Sequence, residues 1–216
     1  YGKRSMLSKM FGSDEEKFAC LKAFLGYMYA HPGKKLTFMG SEFAQRNEWH
    51  FAQALAWEES EQEKNQAFAF FVKKLNEFYQ KTPALWQRDT LWEGFAWNVV
   101  DDNTQNIISF SRFDDQGNEV IAVINFSPVA RAGYRVGVRK KGAYKIVLNS
   151  ELKVYGGEGS KNTSIRSANI PMHGMEQSIR LYIPANSVMF LTHSPKPERK
   201  RTPKASEGKS KKVGRK

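Results

Sequence analysis

Apolar residues change their spacing once along this chain, near residue 91, and that change divides it into two kinds of structure. Before it, large side chains recur every three or four positions. Phe68, Phe71, Val72, Leu75, Phe78 and Tyr79 fall on one face of a helix expected over 61–80, which Thr82-Pro83 stops. An earlier helix opens with a capping box, Ser13 and Glu16, with Asp14, Glu15 and Glu16 in its first turn. Its buried stripe is Phe18, Leu21, Leu25 and Met28, widened by Phe24, and Pro32-Gly33 ends it with His31 as a C-terminal cap. After residue 91 the apolar period becomes two. Strands are expected over 93–99, 106–112, 119–125, 133–138, 143–148, 178–183 and 187–191. Turn chemistry separates them: Asp101-Asp102-Asn103, Asp114 to Asn118, and Pro184-Ala185-Asn186. Short strands at this spacing point to an antiparallel sandwich, and the Gly- and Ser-rich stretch 155–169 reads as a long mobile loop.

Between the two helices lies a different signal. Leu36 to Met39 is a short apolar run bounded by Pro32-Gly33 and Gly40, the pattern of a fully buried strand. A polar and aromatic stretch follows: Glu42, Phe43, Gln45, Arg46, Asn47, Glu48 and Trp49. Helix, buried strand, long loop and helix make the repeating unit of a parallel α/β sheet or barrel, where ligands bind beyond the carboxyl ends of strands. Spacing alone equally fits a surface loop whose aromatics merely cover the barrel end.

Charge narrows the functional classes. The net charge is +12, but ten Lys/Arg and two Glu between 194 and 216 supply +8 of it, leaving +4 for residues 1–193. The tail has almost nothing to bury and reads as a disordered basic extension. It would attract polyanions in a salt-dependent way, without the aromatic interleaving of single-strand recognition, so no specific nucleic-acid role is expected. The only cysteine, Cys20, sits among Phe18, Ala19, Leu21 and Phe24 and reads as a small buried hydrophobe in a reducing, cytoplasmic compartment. No run approaches a membrane span, and the four histidines nowhere show metal-ligand spacing. The chain opens on Tyr-Gly-Lys, neither a signal peptide nor a methionine.

The string Gly40-Ser41-Glu42-Phe43-Ala44-Gln45-Arg46-Asn47-Glu48-Trp49, preceded by His31 to Leu36, resembles the last barrel strand and loop of glycogen (1,4-α-glucan) branching enzymes, of the α-amylase superfamily. Tyr1 to Leu7 resembles the segment after barrel strand seven. Asn125 to Val129, Tyr134 to Val138 and Tyr155-Gly156-Gly157 resemble the family's carboxy-terminal β domain. The resemblance runs in order through residues 1–193 and, with the opening residues, implies a truncated chain.

What it implies about chemistry is mostly exclusion. Glycosidic bonds are opened by two carboxyl groups, and Glu42 and Glu48 are the tempting pair. They read better as one loop-bracing carboxylate and one surface charge, because the family's three catalytic carboxylates precede the segment that Tyr1-Gly2-Lys3 resembles. No catalytic residue, cofactor or metal is therefore expected in this chain. The resemblance implies part of a glucan-binding wall: Phe43, Trp49 and Trp57 for stacking, with Glu42, Gln45 and Arg46 as polar contacts. The chain departs from the family at Arg46 (usually glycine), at His50-Phe51-Ala52 and at Ala56, so polar contacts at 50–56 are open and Trp57 has the alternative of packing the last helix. In the sandwich, Met172 stands before His173 where the family usually carries tryptophan.

The expected fold is thus α/β plus all-β: the end of a (β/α)8 TIM barrel over 1–88, an antiparallel β-sandwich over 89–193 and a tail over 194–216. The partner is an α-glucan, with no membrane and a monomeric full-length enzyme. Another α-amylase-family hydrolase and a non-catalytic carbohydrate-binding module stay open as alternatives. Residues 91–193 are expected to fold alone, whereas a lone barrel strand leaves two unpaired edges and marks the amino-terminal third for early proteolysis.

Overall fold

In a computed structural model, which describes residues 2–162 and 164–194, two helices lie on one face of an antiparallel β-sandwich. Helix α1 (Asp14–Ala30) starts as its capping box dictates. The Ser13 hydroxyl accepts the Glu16 N–H, and the Glu16 carboxylate accepts the Ser13 N–H at 2.7 Å. His31 ends α1, its N–H bonded to the Tyr27 carbonyl. A single turn, α2 (Trp57–Ser60), precedes α3 (Glu63–Lys81), which buries Phe68, Phe71, Val72 and Leu75 as its periodicity requires.

Helix α1 departs from a simple stripe because it has neighbours on more than one side. Phe18, Leu21 and Leu25 are buried, but so are Lys22, Ala23, Gly26, Tyr29 and Ala30, while Phe24, expected to widen the stripe, is exposed. The strands are β1 (Phe95–Asp102), β2 (Ile107–Phe113), β3 (Glu119–Asn125), β4 (Arg131–Val138), β5 (Ala143–Asn149), β6 (Ile165–Ala168), β7 (Gln177–Ile183) and β8 (Ser187–Ser194). They run in the order β1-β2-β3-β8-β5-β6-β7-β4, every pair antiparallel. Strand β6 falls inside the stretch read as a loop. With four residues and two-residue pairings to β5 and β7, it is too short to show a period of its own.

Strands β3 and β8 explain the layering. They pair Ile121 with Leu191 and Val123 with Met189, and these side chains enter the core between the sheets with Val136, Ile179 and Leu181. The alternate pairs, Ala122 with Phe190 and Ile124 with Val188, face the other way and share a second core with Leu21, Leu25, Phe68, Phe71 and Leu75 of the helices. Both faces of these strands are buried, which is why Glu119–Asn125 reads as a nearly unbroken apolar run. At Gly26 the helix comes so close to the sheet that a Cβ would lie 2.3 Å from a Val188 methyl.

Two buried cations hold the layers together. Arg112 on β2 is fully buried and donates to the carbonyls of Ala30 (2.7 Å) and Gly94 (3.1 Å) and to the Asp89 carboxylate. Lys22 on α1 donates to the carbonyls of Ser150 (3.1 Å) and Tyr155 (3.0 Å), with Glu151 at 3.6 Å. Its pKa is lowered, desolvation outweighing the Glu151 charge.

The expected strand at 36–39 does not form. This stretch joins no strand among the described residues, and Leu36, Phe38 and Met39 are exposed. A strand needs a partner to satisfy its amides, and no described residue supplies one. No parallel pair occurs among the described residues, so the observed class is antiparallel all-β with few helices rather than α/β. Cys20 is half-buried, and burial pushes its thiol pKa up. The basic tail expected after residue 193 lies, beyond Ser194, outside the described residues.

Candidate functional site

The polar and aromatic stretch folds into a tight corner. Gly40 has φ of 81°, and a Cβ there would lie 2.9 Å from the Gln45 side chain, so only glycine fits. The Gly40 carbonyl accepts the Gln45 N–H at 2.9 Å. Ala44 is also left-handed, at φ 58°. The buried Asn65 of α3 braces that conformation by donating to the carbonyls of Phe43 (2.8 Å) and Ala44 (3.4 Å). Gln45 is itself buried. Its Nε2 donates to the Asn47 carbonyl and its Oε1 accepts the Ala56 N–H, both at 2.9 Å, so it links the corner to the far end of the loop.

This corner is fastened to the start of the chain. Glu48 accepts the backbone N–H groups of Gly2 (2.9 Å), Lys3 (3.2 Å) and Arg4 (3.1 Å). The hydroxyls of Ser5 and Ser8 donate to the Arg46 carbonyl at 2.8 and 2.7 Å. Between the two segments runs a groove of about 300 Å³, with Arg4 and Met6 on one side and Phe38, Met39, Gln45 and Trp49 on the other. The Phe38 and Trp49 rings meet edge to face, 5.3 Å between centroids. Aromatic faces beside polar groups suit a neutral, polyhydroxylated ligand.

Of the six residues expected to bind, Gln45 and Trp49 line this groove. Phe43 is buried beneath the surface, its ring 5.5 Å from that of Trp57, which is 57% exposed. Arg46 turns away from the groove. Its guanidinium makes a bidentate pair with Asp14 (2.6 and 3.0 Å) and lies over the Phe18 ring, and Lys64 joins Asp14 at 2.9 Å. The Arg46 and Lys64 hydrogen bonds hold Asp14 well below the usual carboxylate range. Glu42 is exposed and outside the groove. Glu48 is occupied with the backbone amides at the start of the chain.

Sequence reading missed Asn65, Phe38 as a groove residue and the wall at residues 3–9. Asn65 did leave a signal, a polar residue on the same helical stripe as Phe68 and Val72. Among the described residues no group of three or more His, Cys, Asp or Glu could hold a metal ion. No described helix is long and apolar enough to cross a membrane.

The model of the alpha amylase C-terminal all-beta domain matches residues 97–194, which begin within β1 and end with β8. Similarity to named proteins reaches further, into the helices and the groove. The chain is 44% identical over 195 residues to the 1,4-alpha-glucan branching enzyme GlgB of Aquifex aeolicus, covering 89% of this chain and 31% of that protein. To the enzyme of the same name from Photobacterium profundum it is 41% identical over 192 residues, covering 88% and 27%. The chain thus resembles the C-terminal portion of these enzymes and spans about a third of their length or less. Among solved structures, the Nostoc punctiforme debranching enzyme superposes with a TM-score of 0.58 at 17% identity, covering 83% of this chain and 32% of the other. Ttha1563 from Thermus thermophilus gives 0.59, also at 17%, covering 88% and 34%. These two likenesses show a shared fold.

Proposed function

We propose that this chain is the carboxy-terminal part of a cytoplasmic 1,4-α-glucan branching enzyme, monomeric when whole. That enzyme cleaves an α-1,4 link and delivers the chain to a 6-hydroxyl in glycogen synthesis. The similarity to branching enzymes over 195 residues at 44% identity carries this reading, because it crosses from the groove through the sandwich. In this reading residues 1–88 complete a (β/α)8 barrel, 89–193 are its all-β neighbour and 194–216 are a tail. The exposed Leu36, Phe38 and Met39 fit a barrel strand awaiting its partners. Two carboxyl groups and positioning suffice for such a transfer, so no cofactor is invoked, and the carboxylates come from segments that precede this one. This part supplies a wall of the glucan site, with Trp49 and Phe38 stacking on sugar faces and Trp57 a further aromatic surface on the same loop.

The test is a chimera in which this chain replaces the matching segment of the Aquifex aeolicus enzyme. The chimera is expected to form α-1,6 branches on amylose, read by branch-point count, while the 216-residue chain alone forms none. A chimera that folds, judged by its melting transition, but does not branch would overturn the reading. Independently, Trp49→Ala in the chain is expected to weaken maltoheptaose binding by about tenfold, the loss of one stacking contact. Isothermal titration calorimetry gives the answer, and unchanged affinity would remove Trp49 from the wall.

A further inference from the structure

We propose that Glu48 is the clamp that sets the width of the groove, fixing the 3–9 wall against the 38–49 wall by holding the backbone amides of Gly2, Lys3 and Arg4. This rests on the reading of the groove as a sugar-binding slot and names the residue that shapes it. The residues it joins lie 44 to 46 positions apart, and among the described residues no strand pairing links the two walls. One carboxylate gathering three consecutive N–H groups is an anion in a backbone nest, each bond strengthened by the charge. The conformation around it is specialised to present those amides. Gly2 and Arg4 both have positive φ, 81° and 64°, a region that residues with a side chain seldom enter.

Other atoms make the remaining ties of the loop, and three of them lead to other parts of the protein. Arg46 fastens it to α1 through Asp14, Asn65 to α3, and Gln45 to the Ala56 amide. Ser5 and Ser8 join the same two segments through the Arg46 carbonyl, with neutral hydroxyls rather than a charge. What distinguishes Glu48 is that one charged carboxylate in the lining gathers three consecutive backbone N–H groups at the start of the opposite segment. Desolvation works to raise its carboxyl pKa, but the amides of Arg4, Lys3 and Gly2 outweigh it, so the charged form is favoured. A slot held open in this way does not have to be ordered by its ligand, and that saving appears as affinity. Glu48 is therefore a positioning residue: it faces the backbone and leaves stacking to Phe38 and Trp49.

The experiment compares the full chain with Glu48→Ala and Glu48→Gln by amide hydrogen exchange and by maltoheptaose titration. In Glu48→Ala, amides 3 and 4 should exchange about tenfold faster and glucan affinity should fall about tenfold, as expected for loss of charged hydrogen bonds. Exchange in α1 and β3 should not change. Glu48→Gln, which keeps an acceptor oxygen without the charge, should fall between the two, a graded response that a general loss of structure would not give. Wild-type exchange at residues 3 and 4 in Glu48→Ala would overturn the clamp. So would unchanged affinity in that variant where the wild type binds. If the wild type itself binds no maltoheptaose, the sugar-slot reading fails, and the exchange rates still decide whether Glu48 holds the walls together. Should Glu48→Ala fail to fold, Glu48→Gln carries both measurements.

Discussion

A guanidinium with no solvent exposure must have its donors answered inside the protein, and Arg112 answers them with three different segments. It reaches the end of α1 at Ala30, the linker at Asp89 and the turn at Gly94 from its own strand β2. Arg112→Met would keep most of the volume but strand a carboxylate and two carbonyls. Removing one partner of a buried pair costs about 3–5 kcal/mol, so a loss of that size is expected in urea unfolding at neutral pH. A change below about 1 kcal/mol, the value of a surface pair, would show that water satisfies those groups instead. Asp14 gives a pH dependence with a defined sign. Its native pKa is depressed below the ordinary 3.8, first by the Arg46 hydrogen bond and then by Lys64. Its contribution is therefore fully present above pH 3.8 and is lost as pH falls through that value toward the native pKa. The pair is about one-third exposed and screened, so the contribution is about 1 kcal/mol or less. Asp14→Asn should remove it, bringing the variant and wild-type stabilities together only as pH falls to the depressed native pKa, as read by thermal unfolding across an acid series. A constant difference at every pH would mean that shape rather than charge accounts for it.

At the scale of elements, the contact between α1 and β8 is unusually close. Gly26 lies where a Cβ would press on Val188, a β-branched side chain with little freedom to move aside. Gly26→Ala should destabilise by about 1–3 kcal/mol, despite alanine's better helix propensity, because overpacking outweighs it. Adding Val188→Ala should make room and recover part of the loss in the double variant's melting temperature. If Gly26→Ala alone stabilises, the helix and sheet are not held at this separation. The same contact shows what the sequence could and could not reveal. The stripe Phe68 to Tyr79 and the capping box at Ser13 are local signals, and both elements formed as read. Strands β3 and β8 were legible too, as short apolar runs bounded by turn residues, a signal carried by the local sequence alone. Burial of Lys22, Ala23 and Gly26 was not, because nothing within α1 announces a neighbour on its second side. The run at 36–39 failed for the opposite reason. Its apolar pattern is genuine, but strand formation is a property of pairs, and no described segment pairs with it. At the groove, Gln45 and Trp49 were named through the loop's resemblance to branching enzymes, whereas the wall at 3–9 and the brace from Asn65 depend on how distant segments meet.

Across the whole molecule, the second core changes what should survive proteolysis. Sequence reading expected residues 91–193 to stand alone once the amino-terminal third was cut away. Yet the outward faces of β3 and β8 carry Val120, Ala122, Ile124, Val188 and Phe190, all covered by α1 and α3. Stripping the helices would expose these side chains together, and each large one buried is worth about 1.5–3 kcal/mol. A sandwich without helices would therefore present an apolar sheet face well suited to aggregation. The expected first cuts fall instead where the chain is exposed and outside helices and strands, at 36–39 and 51–54. Helix α1, helix α3 and the sandwich should stay together after nicking, because Arg112, Lys22 and the shared core cross every boundary between them. Brief digestion followed by native mass spectrometry reads this directly. A nicked complex retaining residues 13–30 and 63–194 supports a single folding unit made of both parts. Release of an intact 91–193 body that stays soluble and keeps its melting transition would restore the earlier division at residue 88. In that case the helical layer would be an appendage that the sandwich holds but does not need.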